Sequence, residues 1–259
     1  MFQIPQDVQD ASESQFYHSM EIPGMGTIAG NWNLIGRLDD YIGGVELKGR
    51  RVLDVGSASG FLSFEMEKRG AEVVSFDVSS AKDLNRLPFE NSLYSTNRPR
   101  WEQTVNEGIA KVKRSYWFTH QRLRSRAKVF YGDIYDLPEA LGSFDVVVIG
   151  QVLVHLSNPV SALGSASRRC ADRLVITEGM LEAEQPIMSL CADPAKGPDW
   201  AWWHLSFGLY RAVLRMVGFK ILNITNSIYD CRVLGPTKLY TIVAARDPEL
   251  NAGLNLGAW

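Results

Sequence analysis

A carboxylate, two glycines and a helix start fall within one ten-residue stretch, RVLDVGSASG at 51–60. Val52, Leu53 and Val55 make an apolar run of the kind buried in a parallel sheet. The run breaks at Gly56, and FLSFEMEKRG after Gly60 has the apolar spacing and the helix formers of an amphipathic helix. A strand, a glycine turn and a helix in that order aim unpaired helix N–H groups, and the positive end of the helix dipole, above the carboxyl edge of the strand. Glycine keeps the backbone bare enough for close approach. That chemistry suits a nucleotide-like ligand. Asp77 closes the next apolar run, AEVVSFDVS, about 20 positions on, where a carboxylate can accept both hydroxyls of a ribose; the alternative is an ordinary acid at a loop start. The turn is not a dinucleotide fingerprint, because Ala58 and Phe61 stand where its second and third glycines belong, and no G-x-x-x-x-G-K-[ST] phosphate loop occurs.

The elements that position these residues follow from periodicity. Residues 1–19 read as a loose polar start leading to a helix near FYHSM. EIPGMGTIAGNW is a loop or a pair of short strands, because Gly and Pro punctuate it. Residues 33–43, with Leu34, Ile35, Leu38, Tyr41 and Ile42 at helical spacing, read as a helix capping the ligand site. VFYGDIYDLPEAL contains a short strand and an acidic turn, FDVVVIG is a buried strand, and QVLVHLSNPVSAL is a loop turning into a helix at Pro159. DRLVITEGM is the next strand. SFGLYRAVLRMVGF is a helix closed by Gly218, followed by the strands KILNITNSI and KLYTIVAAR. Strands alternating with helices, then a final pair of strands, specify an α/β, Rossmann-like doubly wound sheet with an antiparallel end. The segmentation is an N-terminal cap (1–48), a main domain (49–247) with insertions at about 79–127 and 180–205, and a tail (248–259). The second insertion reads as loose and Pro-rich over 180–200.

The chain has 259 residues, 46% of them hydrophobic and 22% charged, with a net charge of −2. This describes one globular domain whose surface as a whole is not built to grip nucleic acid. Three scattered cysteines, Cys170, Cys191 and Cys231, fit a reducing compartment and neither a disulfide framework nor a zinc site. The polar N-terminus and the lack of a long apolar run predict a cytoplasmic protein without a membrane span. The basic residues Lys111, Lys113, Arg114, Arg122, Arg124, Arg126 and Lys128 interleave with Tyr116, Trp117 and Phe118. The stretch could hold an RNA backbone and stack bases, or it could be a solvated helix whose aromatics pack on the core.

Asp54, Gly56 and Gly60 resemble motif I, D/E-x-G-x-x-x-G, of the class I S-adenosylmethionine-dependent methyltransferases. That resemblance implies a seven-stranded sheet in the order 3-2-1-4-5-7-6 and S-adenosyl-L-methionine as cofactor, with no metal. It implies a cofactor site made of Asp54, Gly56, Ser57, Ala58, Gly60, Asp77, Val78, Asp133, Ile134 and Gln151. Asp54 there organises the loop and approaches the methionine amino group, and Asp133 accepts from the adenine amine beside Ile134. FYHSMEIPGMGTIAGNW, LKGRRVLDVGSASGFLSFEMEKRGAEVVSFDV, FDVVVIGQVLVHLSNP and a Trp-rich segment before GF resemble the branch of wobble-uridine tRNA methyltransferase-like proteins.

Methyl transfer needs an aligned nucleophile and often a group that removes its proton. His155, a few residues past the fourth strand and with an ordinary pKa near 6.5, is the first candidate base, with His18 and His204 as competitors. Tyr17, His18, Trp32, Trp202, Trp203 and His204 are expected to line an aromatic acceptor pocket, core packing being the competing explanation for the tryptophans. If DWAWWHLS is helical, Trp200 and His204 share one face. The acceptor expected is an O, N or C nucleophile of a small, aromatic or glycosylated metabolite. A tRNA wobble uridine and a non-catalytic cofactor-binding module are the alternatives, and the oligomeric state is left open.

Overall fold

The computed structural model describes residues 1–84, 90, 92–193 and 201–251. In chain order the elements are β1 (Met20–Ile22), β2 (Gly26–Ile28), β3 (Trp32–Asn33), α1 (Leu38–Tyr41), β4 (Arg51–Val55), α2 (Phe61–Lys68), β5 (Glu72–Asp77), α3 (Leu93–Thr96) and α4 (Arg98–Leu123). They continue with β6 (Lys128–Tyr131), β7 (Phe144–Gly150), α5 (Pro159–Arg168), β8 (Cys170–Glu178), β9 (Met180–Leu181), β10 (Met188–Leu190), β11 (Trp203–Ser206), α6 (Phe207–Met216), β12 (Phe219–Cys231) and β13 (Gly235–Arg246).

The main sheet runs β3-β12-β13-β8-β7-β4-β5-β6. From β6 inward this is the expected order 3-2-1-4-5-7-6, with β13 antiparallel to both of its neighbours. It has eight strands and not seven, because β3 pairs antiparallel with the end of β12 through Cys231 and Trp32. The central strands β4, β5 and β7 are mostly apolar because both faces of the sheet are covered there. Along β7, Val146 and Val148 face the cluster shared with α2 and the aromatic end of α4, whereas Val147 and Ile149 face the cluster shared with α5 and α6. Caps fix the helix starts: Asn158 accepts from the Ser161 N–H ahead of α5, with Pro159 in the first turn, as preferred there.

Four expectations are corrected. Residues near FYHSM are extended, not helical: the Tyr17 carbonyl accepts from Asn31 and Trp32 N–H (2.9 and 3.0 Å), and His18 bridges Trp32. The polar N-terminus is tied down despite lacking periodic structure, since Gln3 N–H donates to Val129 O and Gln15 N–H to Lys111 O, with Val8 buried. Helix over 33–43 is reduced to Leu38–Tyr41, because Asn33 is taken by β3 and Gly36 adopts φ +73°. The insertion after β8 is not loose. β10-β11-β9 form a small sheet, so Trp203 and His204 lie on a strand and alternate faces, and the helical pairing of Trp200 with His204 does not apply; residues 194–200, Trp200 among them, and the tail from 252 lie outside the described residues. The basic stretch is helical as far as Leu123, with Arg124 and Arg126 in the turn that follows and Lys128 opening β6, and its Tyr116, Trp117 and Phe118 are buried in the core.

Candidate active site

The turn between β4 and α2 is held from below by the sheet and from above by the N-terminal segment. Gly56 and Ser57 N–H donate to Phe76 O (2.8 and 3.1 Å), and Gly60 N–H to Ser57 O (2.7 Å). Gly56, Ala58 and Gly60 have φ of +79°, +47° and +88°. A Cβ on Gly56 would lie 2.3 Å from Val152 Cγ2, so the turn and the loop after β7 touch across the carboxyl edge. Asp77 at the end of β5 accepts from Ala58 N–H (2.6 Å) and Val78 N–H (2.7 Å). Each of its oxygens has engaged one lone pair and keeps another for a ligand hydroxyl. Burial raises its carboxyl above the ordinary value, against the two N–H donors and the Lys113 charge.

Asp54 is fully buried. Its Oδ2 accepts from Ser63 Oγ (2.5 Å), Ser63 Oγ meets Ser75 Oγ (2.7 Å), and Ser75 Oγ meets Tyr116 Oη (2.7 Å). Its Oδ1 has no hydrogen-bond partner among the described residues. Burial pushes its carboxyl up to about 7, opposed by the Ser63 hydrogen bonds and assisted by the charge on Asp77. Glu178, at the end of β8 and likewise buried, accepts from Val152 N–H (2.7 Å) and Leu153 N–H (2.8 Å) and so holds the loop after β7; burial lifts it to about 7 as well. Both groups bind protons in the folded state that the unfolded chain has released, so stability is present at low pH and falls as pH rises from about 4 to about 7. The melting temperature of the ligand-free protein is expected to drop between about pH 4 and pH 7 and to level off above that, and Asp54→Asn to flatten that slope. An unchanged slope in the variant would remove Asp54 from the titration.

The other expected cofactor residues lie along the same edge. Gly132 N–H donates to Asp77 O (2.9 Å), which brings Asp133 beside the end of β5; exposed Asp133 accepts from Tyr135 N–H (2.9 Å) and Ile134 is buried. Gln151 has φ +53°; its N–H donates to Thr177 O (2.8 Å) and its Oε1 accepts from Gly179 N–H (3.2 Å).

Of the expected acceptor residues, His18 stands on the glycine turn: its N–H donates to Ser59 Oγ (3.0 Å), and its ring lies 6.0 Å from that of Phe61. Burial drives its imidazole down to about 3, and its Nδ1 has no hydrogen-bond partner among the described residues. Burial raises the Tyr17 phenol, against a side-chain hydrogen bond with Trp32, and its ring lies 4.9 Å from that of His18. His204 Nε2 lies 3.8 Å from where a Cβ on Gly179 would be. Trp203 Nε1–H donates to Ser157 O (3.2 Å). Trp32 and Trp202 are packed away at 6% and 2% exposure, and the Trp202 N–H donates to Val154 O (2.7 Å). His155 ends the short turn after β7 and is exposed.

A methyltransferase-domain model matches residues 33–211, more than half of the chain. The chain belongs to this methyltransferase family. Ubiquinone biosynthesis O-methyltransferase of Hahella chejuensis is 29% identical over 133 residues, 51% of this chain and 43% of its own length, so the chain spans less than half of that curated relative. The fold is similar to that of magnesium protoporphyrin IX methyltransferase from Synechocystis PCC 6803, solved with bound S-adenosylhomocysteine, at 15% identity and TM-score 0.52 over 83% of this chain and 82% of that one. A Mesorhizobium loti S-adenosylmethionine-dependent methyltransferase gives 14% identity and TM-score 0.52 over 82% and 100%.

The residues of this methyltransferase domain fit an adenosylated amino acid. Asp54 Oδ1 is buried, without a partner among the described residues and next to the turn, where an ammonium would satisfy it. Asp77 presents its free lone pairs beyond Ala58. Glu178 escaped the sequence reading, although the signal was the same as for Asp54 and Asp77, an acid at the end of an apolar strand run. Ser63, Ser75 and Tyr116 carried no signal, because three hydroxyls spaced 12 and 41 residues apart become neighbours only through packing.

Proposed function

We propose that this protein is an S-adenosylmethionine-dependent methyltransferase whose acceptor is a small, aromatic or glycosylated metabolite. The observation that carries the reading is the pairing of buried, half-satisfied Asp54 with Asp77 on either side of one glycine turn. When bound, S-adenosylmethionine supplies a methyl group on a sulfonium. Asp54 accepts from its amino end and Asp77 from its ribose, with Asp133 and Ile134 at the adenine side. The acceptor enters beside Tyr17, Gln151 and His204. His204 takes the proton from the acceptor's nucleophile; His18, held neutral by burial, serves as a hydrogen-bonding partner and not as a base. An oxygen nucleophile agrees with the printed name of the Hahella relative.

A small acceptor is favoured over tRNA because the aromatics of the basic helix are core side chains. Several of its cations also have partners in this chain: Arg114 with Glu13, Lys113 with the Ser79 carbonyl and Arg122 with the Gln9 carbonyl. Among the described residues no helix is long and apolar enough to cross a membrane, and the buried thiols Cys170 and Cys231 suit a reducing cytoplasm.

The test is transfer of a labelled methyl group to a panel of hydroxylated aromatic compounds. His204→Ala is expected to lower turnover by about 10²-fold or more with affinity for S-adenosylhomocysteine unchanged, and His155→Ala to leave turnover near normal. The reverse pattern would move the base to His155. Bulk tRNA is expected to show no salt-sensitive mobility shift. A tight shift that disappears when Arg122, Arg124 and Arg126 are reversed to Glu would replace the metabolite reading with a tRNA one.

A further inference from the structure

We propose that Tyr116, on the long helix of the first insertion, is a positioning residue for the cationic end of the methyl donor, acting through Ser75 and Ser63 on Asp54. The inference rests on the donor reading given above. Four groups form a continuous buried chain from α4 through β5 and α2 to β4, with contacts of 2.7, 2.7 and 2.5 Å, and Ser63, Ser75, Tyr116 and Asp54 each have 0% exposure. Each hydroxyl has one proton to give. An ionised Asp54 accepts a hydrogen bond from the Ser63 hydroxyl; Ser63 must then accept from Ser75, and Ser75 from Tyr116. Every donor is satisfied and the chain ends on the phenol. If Asp54 is protonated and donates to Ser63 instead, the sequence reverses and the Tyr116 O–H is left pointing at no acceptor in this chain of contacts, which costs a buried donor its partner. The relay therefore favours the ionised carboxylate, the form that attracts a cation, and it leaves Oδ1 as the oxygen that meets the ligand.

The insertion thus does more than cover the sheet. Its Tyr116 ring is wedged between Phe64 (5.0 Å between centroids) and Trp117 (5.3 Å), so the hydroxyl is fixed by aromatic packing and the relay is preorganised before any ligand arrives. The titratable groups that act on Asp54 from the surrounding elements are Asp77 at the end of β5, which opposes its ionisation, and the phenols of Tyr41 on α1 and Tyr116 on α4, both raised chiefly by burial. Neither phenol is ionised where Asp54 titrates. The hydrogen-bond chain is the arrangement through which α4 acts on the carboxylate.

The experiment is calorimetric titration of the whole protein with S-adenosylhomocysteine across pH, comparing wild type with Tyr116→Phe, Ser75→Ala and the double variant. Tyr116→Phe keeps the ring and its packing. Each single variant is expected to move the midpoint of the pH dependence upward by about half a unit to one unit, which is about three- to tenfold weaker binding near pH 6 and no difference near pH 9. Because both substitutions cut the same chain, the double variant should shift no further than the larger single one. A loss of affinity equal at every pH, an unmoved midpoint in Tyr116→Phe, or shifts that add in the double variant would overturn the relay and leave Tyr116 a packing residue. If wild type fails to bind the nucleoside, the donor reading falls. The relay is then read without ligand, from the pH dependence of melting, where Tyr116→Phe should extend the fall in stability to higher pH than in wild type, and a curve coincident with wild type would again overturn it.

Discussion

Substitution of Gly60 by Ala is expected to lower the stability of the protein by about 2–5 kcal/mol and its melting temperature by roughly 10 °C. Two effects combine. Gly60 holds φ +88° at the start of α2, a region in which a Cβ strains the backbone by about 1–2 kcal/mol. The added Cβ would also lie 2.5 Å from Phe64 Cε2 and 2.7 Å from Tyr116 Cδ2, and both rings are buried in the core. Overpacking of that kind costs about 1–3 kcal/mol. Because the clash displaces Tyr116 and opens the glycine turn together, nucleoside binding is expected to be lost with the stability. Gly49→Ala separates the two effects: Gly49 has φ +71° with nothing within 4 Å of an added Cβ, so it should show the strain alone. Thermal denaturation of both variants is the check. A Gly60→Ala protein no less stable than Gly49→Ala would mean that the turn relaxes freely, contrary to the packing described.

Asp77→Ala is expected to weaken binding of S-adenosylhomocysteine by at least about 100-fold. Hydrogen bonds to a charged group contribute about 1.5–3 kcal/mol each, and the ribose would lose two. The substitution also strips the acceptor from Ala58 N–H, which Asp77 holds at 2.6 Å while Ala58 keeps its strained φ of +47°. The turn therefore loses preorganisation along with the contact. Asp77→Asn, which can still accept at one atom, should fall between the two, near tenfold. Calorimetry reads both values. A loss below tenfold in Asp77→Ala would place the ribose elsewhere on the edge.

What was legible in the sequence is what short-range chemistry dictates. An apolar run cut by Gly56 and followed by helix formers after Gly60 can fold in few ways, so the turn, the positions of Asp54 and Asp77 and the buried strand at Phe144–Gly150 could all be read from ten or so residues at a time. Sheet order came from family resemblance, and the edge strand β3 was missed because two residues have no period to detect. The small sheet β10-β11-β9 was missed for the same reason: its strands have three, four and two residues, and Pro-rich sequence around them reads as loop. The path of the N-terminal segment was likewise decided by tertiary contact alone, since polar residues without periodicity are ordered here by backbone hydrogen bonds to α4 and β6. The same holds for the chemistry. Residue type and spacing placed carboxylates at strand ends, but only burial decides that Asp54 and Glu178 titrate near 7. Only the packing of α4 on the sheet brings a tyrosine hydroxyl into line with a carboxylate 62 positions away, because hydrogen bonds between side chains depend on distances that no local pattern encodes.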